Sequence, residues 1–171
     1  MRYTSAQAGK LIKKLENAIL KAESAESKSS VFRAALGEDV EAVRPAYDFR
    51  KAQDTMDELK AKLREVKHAV NVFNVNHTLP GFDGLTIDQA LIYLPQLRQR
   101  AKTLQLMAAR LPRERVESYL SSGSLIDYTV TNYDAEEAEE EYQKVYDLMT
   151  SLQLALDIVN STESMEINVT L

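Results

Sequence analysis

The sequence contains no cysteine, and this absence excludes three kinds of site. Without thiols the chain can form no disulfide framework, no thiolate nucleophile and no thiolate zinc site. Histidine is scarce as well, because only His68 and His77 occur. Neither belongs to a His-Glu-x-x-His motif or to any comparable ligand spacing. We therefore expect no metal site.

Long apolar runs and an excess of positive charge are also missing. No stretch reaches the roughly 18 consecutive apolar residues of a transmembrane helix, and the first ten residues lack the apolar segment of a signal peptide. The net charge of −5 gives nucleic-acid phosphates no overall attraction to the chain. We expect a cytoplasmic protein with no membrane association and no generic nucleic-acid binding.

The residue groupings that enzymes use are absent too. Gly81 and Gly84 are not followed by the Lys-Ser or Lys-Thr that completes a phosphate-binding loop. The serine cluster at 121–124 has no Gly-x-Ser-x-Gly elbow or adjacent base. The acids at 136–141 surround a single helix start, where the helix dipole already favours negative charge. We expect no catalytic residue, no cofactor and no enzymatic activity.

What the sequence has in abundance is helical periodicity. Apolar residues alternate in steps of three and four along four segments, a pattern typical of amphipathic helices that pack through heptad seams. A chain of 171 residues with 44% hydrophobic residues can bury one sizeable core, so we expect a single domain, 1–171. The helices are predicted at about 4–26, 48–75, 86–111 and 134–160.

The four seams differ in quality. The seam from Ala52 to Phe73 is the strongest, and the one from Ala138 to Val159 also runs without a slip. The first seam weakens into alanine toward its end. The third slips by one residue at Pro95, where the missing backbone donor predicts a kink or a break.

Segments with a different period predict a small sheet. Residues 31–36 and 40–44 flank a Gly-Glu-Asp turn, and residues 125–133 are rich in β-branched and aromatic side chains. The fold expected is mainly α, a long-helix antiparallel bundle with coiled-coil-like seams and a small three-stranded β cap. The weakly alternating end at 164–169 predicts either an additional strand or a free tail.

One candidate binding site lies in the loop at 74–84. It combines turn formers with His77, Phe82 and Asp83, which makes it the most distinctive irregular stretch of the chain. These three residues could contact a ligand or a protein partner. The alternative is a plain connector in which Phe82 plugs the end of the bundle.

A second candidate site lies in the local concentration of basic residues. Arg98 and Arg113, with Tyr128 downstream, could form a pocket for a small anionic or nucleotide-like ligand through bidentate contacts and stacking. The alternative is a solvated helix exterior that offsets the acidic fourth helix. The other basic residues of this concentration are Arg100, Lys102, Arg110 and Arg115.

Several segments also resemble a known family. The stretch at 126–163, together with 69–74, 85–91 and 97–100, is similar to small bacterial proteins known as septicolysin-like. The similarity is diffuse and covers most of the chain from about residue 48 onward. It implies a helical architecture. The family name implies a cytolysin, whereas this sequence has no secretion signal and no amphipathic hairpin long enough to insert into a membrane.

Three functions remain open at the level of sequence. The leading hypothesis is a non-enzymatic helical interaction or scaffold protein that self-associates through exposed heptad positions into a homo-oligomer. The second is a binder of a small anionic ligand at an Arg/Tyr-lined pocket or subunit interface. A membrane-active toxin ranks third.

Overall fold

Long helices dominate the structure, as the periodicity predicts. The computed structural model describes residues 1–116 and 127–169. In chain order these residues form β1 (Arg2–Thr4), α1 (Ser5–Ser29), α2 (Val40–Val43), α3 (Phe49–Asn76), α4 (Ile87–Ala108), β2 (Arg113–Arg115), β3 (Tyr128–Val130), α5 (Ala135–Thr162) and β4 (Ser164–Glu166). The protein is therefore mainly α-helical, with small antiparallel sheets.

Side chains at the helix starts explain where the long helices begin. Thr4 and Thr86 form complete capping boxes with Gln7 and Gln89, so that each glutamine side chain returns a bond to the cap backbone. Asp48 caps α3 in the simpler way, by accepting from a backbone N–H of the first turn. Each cap satisfies donors that have no partner inside the helix, and this fixes the first residue of each element.

The chain forms two compact units. The first comprises Met1–His77 and Ile158–Leu171. Within it α1 and α3 pack side by side in opposite directions, because Glu16 pairs with Lys67 at 2.8 Å and Glu23 with Lys60 at 3.5 Å. As the residue number rises along one helix it falls along the other. The buried side chains of this unit include Leu15, Val66 and Phe73.

A two-stranded sheet completes the first unit. β1 pairs with β4 in antiparallel register, with Tyr3 opposite Met165. One further backbone bond beyond the ladder joins Ile167 N–H to the Met1 carbonyl at 2.9 Å. Met165, Ile167 and Val169 are buried, so the weak alternation at 164–169 does mark a strand and its buried continuation.

The second unit, Thr78–Asp157, contains α4 and most of α5. These helices also run in opposite directions, since Arg100 pairs with Glu141 at 2.7 Å and Arg98 donates to Gln153 Oε1 at 3.2 Å. The buried apolar residues of this unit are Leu79, Ile87, Ala90, Leu94, Leu97, Ala101, Ala138, Val145, Leu152 and Leu156.

The predicted three-stranded β cap is wrong. The described residues contain two separate two-stranded sheets, β1 with β4 and β2 with β3. Of the predicted strand at 125–133, only Tyr128–Val130 is a strand, and residues 125 and 126 lie outside the described part of the chain. Its partner is Arg113–Arg115, a segment for which the sequence analysis predicts no strand.

The predicted strands at 31–36 and 40–44 are also wrong, for a local reason. The Glu38 carboxylate accepts from the Ala35 N–H at 2.8 Å, which uses a donor that a strand ladder would need. Asp39 then caps Val40–Val43 as a single helical turn. Side-chain to backbone bonds of Asp and Glu therefore replace the predicted hairpin with a turn and a short helix.

A break at Pro95 does not occur. The helix α4 continues from Ile87 to Ala108 with Pro95 inside it. Both Pro95 and Leu91, whose carbonyl loses its helical donor, are exposed to solvent. Water can therefore satisfy that carbonyl, and buried packing on the opposite face, through Leu94 and Leu97, keeps the helix continuous.

Candidate functional site

Arg113 and Tyr128 come together on the two-stranded ribbon formed by β2 and β3. The Arg113 guanidinium carbon lies 3.6 Å from the centroid of the Tyr128 ring. In the register of the ribbon, Arg113 lies opposite Val130 and Arg115 lies opposite Tyr128. The four side chains share one face, because residues two apart on a strand point the same way. Arg113 and Tyr128 are therefore diagonal neighbours, joined by a cation–π contact.

This face of the ribbon carries positive charge that is free to act on a ligand. Within residues 1–116 and 127–169, neither Arg113 nor Arg115 pairs with a carboxylate. Glu114 points to the opposite face by strand alternation. Two guanidinium groups on one face could hold an oxyanion, since each presents a planar fork of N–H donors. The Tyr128 ring already faces Arg113, so it offers less room for base stacking.

Arg98, the third member of the predicted pocket, has a different environment. It lies on α4 and donates to Gln153 on α5, which in turn donates to Asp157 Oδ1 at 3.0 Å. The side chain therefore belongs to a polar link between two helices. The structure brings Arg113 and Tyr128, two of the six residues predicted for binding, into contact from separate strands.

His77 has a structural environment at the end of α3. Its ring stacks on Phe73 with centroids 3.9 Å apart, and Nδ1 lies 2.9 Å from the Phe73 carbonyl oxygen. A carbonyl only accepts, so Nδ1 carries the proton in this contact and Nε2 is the free ring nitrogen. The backbone N–H of His77 donates to the same carbonyl at 3.0 Å. His77 thus closes the helix C-terminus.

Phe82 and Asp83 lie in a short loop that bonds to itself. Thr78 and Thr86 form an isolated bridge, and the Leu79 N–H donates to the Leu85 carbonyl at 2.8 Å. Leu79 is the buried residue of this loop, whereas Phe82 is half-buried and Asp83 is exposed. Gly81 and Gly84 both have positive φ, the left-handed conformation that favours glycine.

The predicted seams are mostly used inside the folded chain. Along α5 every seam position from Ala138 to Val159 is buried or half-buried, and the same holds along α3 from Ala52 to Phe73. Leu91 on α4 is an exception, with an exposed side chain. Self-association therefore needs surfaces other than these two seams.

The outward face of α4 offers such a surface. We name the α4 outer stripe by its residues Ile92, Gln96, Gln99, Thr103 and Leu106, which recur in steps of four and three and are all exposed. Ile92 is 58% exposed and Leu106 is 62% exposed. The stripe contains no charged residue, although α4 carries several charges elsewhere. The sequence analysis predicts the inward seam of α4 but not this stripe, because three of its five residues are polar and add nothing to the apolar periodicity.

Shifted pKa values occur away from these surfaces. Burial and a hydrogen bond to Glu26 raise the pKa of Tyr47, because both disfavour the phenolate beside a carboxylate. The Lys62 ammonium, 2.6 Å away, lowers the pKa of Glu58. A bidentate contact with Glu41 raises the pKa of Arg44. The Glu58–Lys62 pair lies within α3, whereas Arg44 and Tyr47 lie outside the helices and bond to Glu41 and Glu26.

Two further features are absent from the part of the chain that the structure describes. Residues 1–116 and 127–169 contain no group of three or more His, Asp or Glu side chains placed to hold a metal ion. None of their helices combines the length and the apolar character needed to cross a lipid bilayer.

Comparison with known proteins finds likeness of fold only. No protein-family model matches the chain, and no curated protein matches it in sequence. The structure is similar to the crystal structure of a functionally unknown conserved protein from Corynebacterium diphtheriae, with a TM-score of 0.62 and 14% sequence identity. That similarity covers 97% of this chain and 100% of the other. The two proteins share a fold.

Proposed function

We propose that this protein is a non-enzymatic helical interaction protein that self-associates through the α4 outer stripe. The observation that carries the proposal is an uncharged heptad stripe exposed on a helix whose inward face is buried at Leu94, Leu97 and Ala101. On a lone helix face, exposed Ile92 and Leu106 are costly to hydrate, and charged residues would be the usual occupants of such positions.

The spacing of the stripe suits a twofold contact between two copies. Ile92 and Leu106 are each two turns from Gln99, one on either side. An antiparallel pair of α4 helices with its axis at Gln99 places Ile92 of each copy against Leu106 of the other. The Gln99 amides then meet at the axis, where each can donate to and accept from its symmetry mate.

The expected affinity is modest. Full burial of a leucine or isoleucine side chain contributes about 1.5–3 kcal/mol, and the contact holds two such side chains per copy. Association itself costs at least about 4 kcal/mol in lost translational and rotational freedom. Four such side chains contribute at most about 12 kcal/mol, which leaves at most about 8 kcal/mol after that cost, so we expect a dissociation constant no tighter than about micromolar.

Sedimentation velocity from about 1 µM to about 1 mM protein tests this proposal. The wild type should form a dimer, and Ile92→Glu should remain monomeric because the new carboxylate would be desolvated at the contact. Val72→Glu, an exposed apolar position on α3 outside the stripe, serves as the matched control and should dimerise as the wild type does. A strictly monomeric wild type, or an Ile92→Glu variant that dimerises normally, contradicts the proposal.

A second candidate function is favoured by the unpaired guanidinium groups of Arg113 and Arg115. We propose this face of the ribbon as a site for a small polyanion such as a nucleoside triphosphate. Titration calorimetry with inorganic triphosphate and with ATP tests it, and Arg115→Ala should abolish the heat of binding. Arg98→Ala, which alters an arginine outside the ribbon, is the control. No heat with either anion at about 5 mM would exclude the site.

The resemblance to septicolysin-like proteins supports the helical architecture in this proposal and nothing more specific. A membrane-active toxin is the remaining alternative from sequence. Release of dye from loaded liposomes would be its test, and intact liposomes at micromolar protein would exclude it.

A further inference from the structure

A row of lysines runs along one face of α1. Lys10, Lys14, Lys21 and Lys28 recur at helical spacing, with Asn17 and Ser24 completing steps of four and three. We name these six residues the α1 lysine stripe. All six are exposed, and a shallow groove of about 480 Å³ beside them is lined by α1 side chains alone. Lys10 and Lys14 also line a second groove with residues 1–3, so the stripe borders β1 at one end.

The acids of α1 do not neutralise this stripe. Glu16 and Glu23 lie on another face, where they pair with Lys67 and Lys60 of α3. Glu26 accepts hydrogen bonds from Tyr47 and Gln53. Within the described ranges, by contrast, no lysine of the stripe has a carboxylate within ion-pair distance. The packing of α1 on α3 thus separates the charges of one helix into a used face and an unused one.

An acidic row with the same spacing runs along the outward side of α5. It consists of Glu136, Glu140, Gln143, Asp147 and Thr150, all of them exposed. We name it the α5 acidic stripe. The neighbouring Glu141 forms an ion pair with Arg100. The side chains of Glu140 and Asp147, by contrast, pair with no cation among residues 1–116 and 127–169. Its charge is therefore available to a partner.

Five of the six positions of the α1 lysine stripe fall on the five positions of the α5 acidic stripe, and the sixth, Lys28, falls on Leu154. When α1 and α5 are aligned at one constant offset, Lys10 falls on Glu136, Lys14 on Glu140 and Lys21 on Asp147. At the same offset the amide of Asn17 falls on the amide of Gln143, and the hydroxyl of Ser24 falls on that of Thr150. Lysine meets acid, amide meets amide and hydroxyl meets hydroxyl, which is the complementarity expected of paired helix faces.

From this match we infer that the α1 lysine stripe binds the α5 acidic stripe of a second copy of this chain. The inference rests on the proposed self-association, since it names a second copy as the occupant. In a twofold dimer the contact occurs twice, once for each α1 helix. Charge complementarity at exposed helix faces adds little affinity per pair, but it selects the partner and the register.

Charge-swap variants measured by sedimentation velocity test the inference. Lys14→Glu/Lys21→Glu should weaken self-association at least tenfold, and so should Glu140→Lys/Asp147→Lys, because each places like charges in register. An equimolar mixture of the two variants should assemble again, since both contacts of the mixed dimer regain opposite charges. Raising NaCl from about 50 mM to about 1 M should weaken the wild type, as the screening length falls below the span of the contact.

Arg50→Glu/Lys51→Glu is the matched control. It changes the net charge by the same amount as the lysine variant, at exposed residues near the start of α3. Circular dichroism should show that all variants keep the helical content of the wild type. The control should self-associate with wild-type affinity.

The outcomes separate this inference from the proposed function. A dimer that ignores both charge swaps and salt overturns the inference and leaves self-association standing. A dimer that survives Ile92→Glu but dissociates on charge reversal supports the inference and contradicts the α4 outer stripe. If the lysine variant dimerises normally but loses binding to vesicles of phosphatidylserine, the occupant is an anionic surface and the inference is wrong.

Discussion

The Tyr47 hydroxyl donates a 2.9 Å hydrogen bond to Glu26 Oε1 across 21 residues of sequence. The same oxygen accepts from Gln53 Nε2 at 2.6 Å, so one carboxylate ties the end of α1 to the start of α3. This is the part of α1 where the predicted seam turns to alanine and the helix is predicted to end. The helix instead continues to Ser29, with polar contacts taking over where apolar ones are few.

Tyr47 should titrate later than an ordinary tyrosine. Burial and the Glu26 carboxylate raise its pKa in the folded chain, so the protonated form stabilises the fold below the ordinary value of about 10. That contribution is lost as the pH rises through the raised pKa. NMR with ¹³C-labelled tyrosine should show one late-titrating signal that is missing in Tyr47→Phe and moves to lower pH in Glu26→Gln. An unchanged titration in Glu26→Gln would contradict the assignment.

Replacing Pro95 by alanine should stabilise the protein. Proline inside a helix is less favourable than alanine by about 3 kcal/mol, and exposure of Pro95 means that little packing is lost. We expect Pro95→Ala to raise the free energy of unfolding by about 1–3 kcal/mol in urea titrations. Pro112→Ala, beyond the end of α4, should change it by less than about 1 kcal/mol. A destabilised Pro95→Ala would show that the helix needs the proline geometry.

Substitution by alanine should lower the stability of the protein strongly at Leu152 and hardly at all at Leu154. Leu152 is 0% exposed and Leu154 is 60% exposed, although both lie on α5. Leu152→Ala leaves a cavity and should cost about 2–5 kcal/mol. Leu154→Ala should stay within about 0.5 kcal/mol of the wild type. Urea unfolding monitored by circular dichroism gives the free energy of unfolding of both variants. Equal losses of stability would contradict the burial of Leu152 and the exposure of Leu154.

Thr86, at the N-cap of α4, should contribute more to the stability of the protein than a threonine inside a helix does. Thr86 forms a capping box with Gln89, so Thr86→Ala should cost about 1 kcal/mol. Thr55 lies inside α3 and donates back to the Lys51 carbonyl, so Thr55→Ala should be neutral or slightly stabilising. Thermal unfolding should separate the two variants by a few degrees. The same loss at both positions would mean that the cap contributes nothing special.

The helices could be predicted closely because their evidence is local. Periodicity and caps lie within one or two turns of each helix end, and the observed starts at Ser5, Phe49, Ile87 and Ala135 lie next to the predicted ones. Strands depend on partners that local patterns do not reveal. Nothing in the sequence near Arg113 indicates that it pairs with Val130. The hairpin predicted before Pro45 does not form, because the carboxylates of Glu38 and Asp39 accept from the backbone N–H groups of nearby residues.

The candidate site was predictable only in part. Arg113 and Tyr128 were named together from their chemistry, and the ribbon does join them. Arg98 belongs to the predicted pocket because it lies in the same basic stretch of sequence as Arg113. In the structure it donates instead to Gln153 on α5. The sequence analysis does not predict the α1 lysine stripe, because its lysines are spread along a whole helix and form no local cluster. Its signal was present all along as lysines recurring in steps of four and seven.

The pairing of β1 with β4 also has a consequence for the order of assembly. Residues 2–4 are synthesised long before their partners at 164–166, which appear only after the intervening chain has been made. At about 5–20 residues per second, that wait lasts roughly ten to thirty seconds. The helix pair α1–α3 can form during this interval, since its contacts are much closer in sequence. The backbone edge of β1 therefore stays unpaired for longer during synthesis than that of β2, whose partner β3 follows closely in sequence. A chaperone would have correspondingly more time to bind β1.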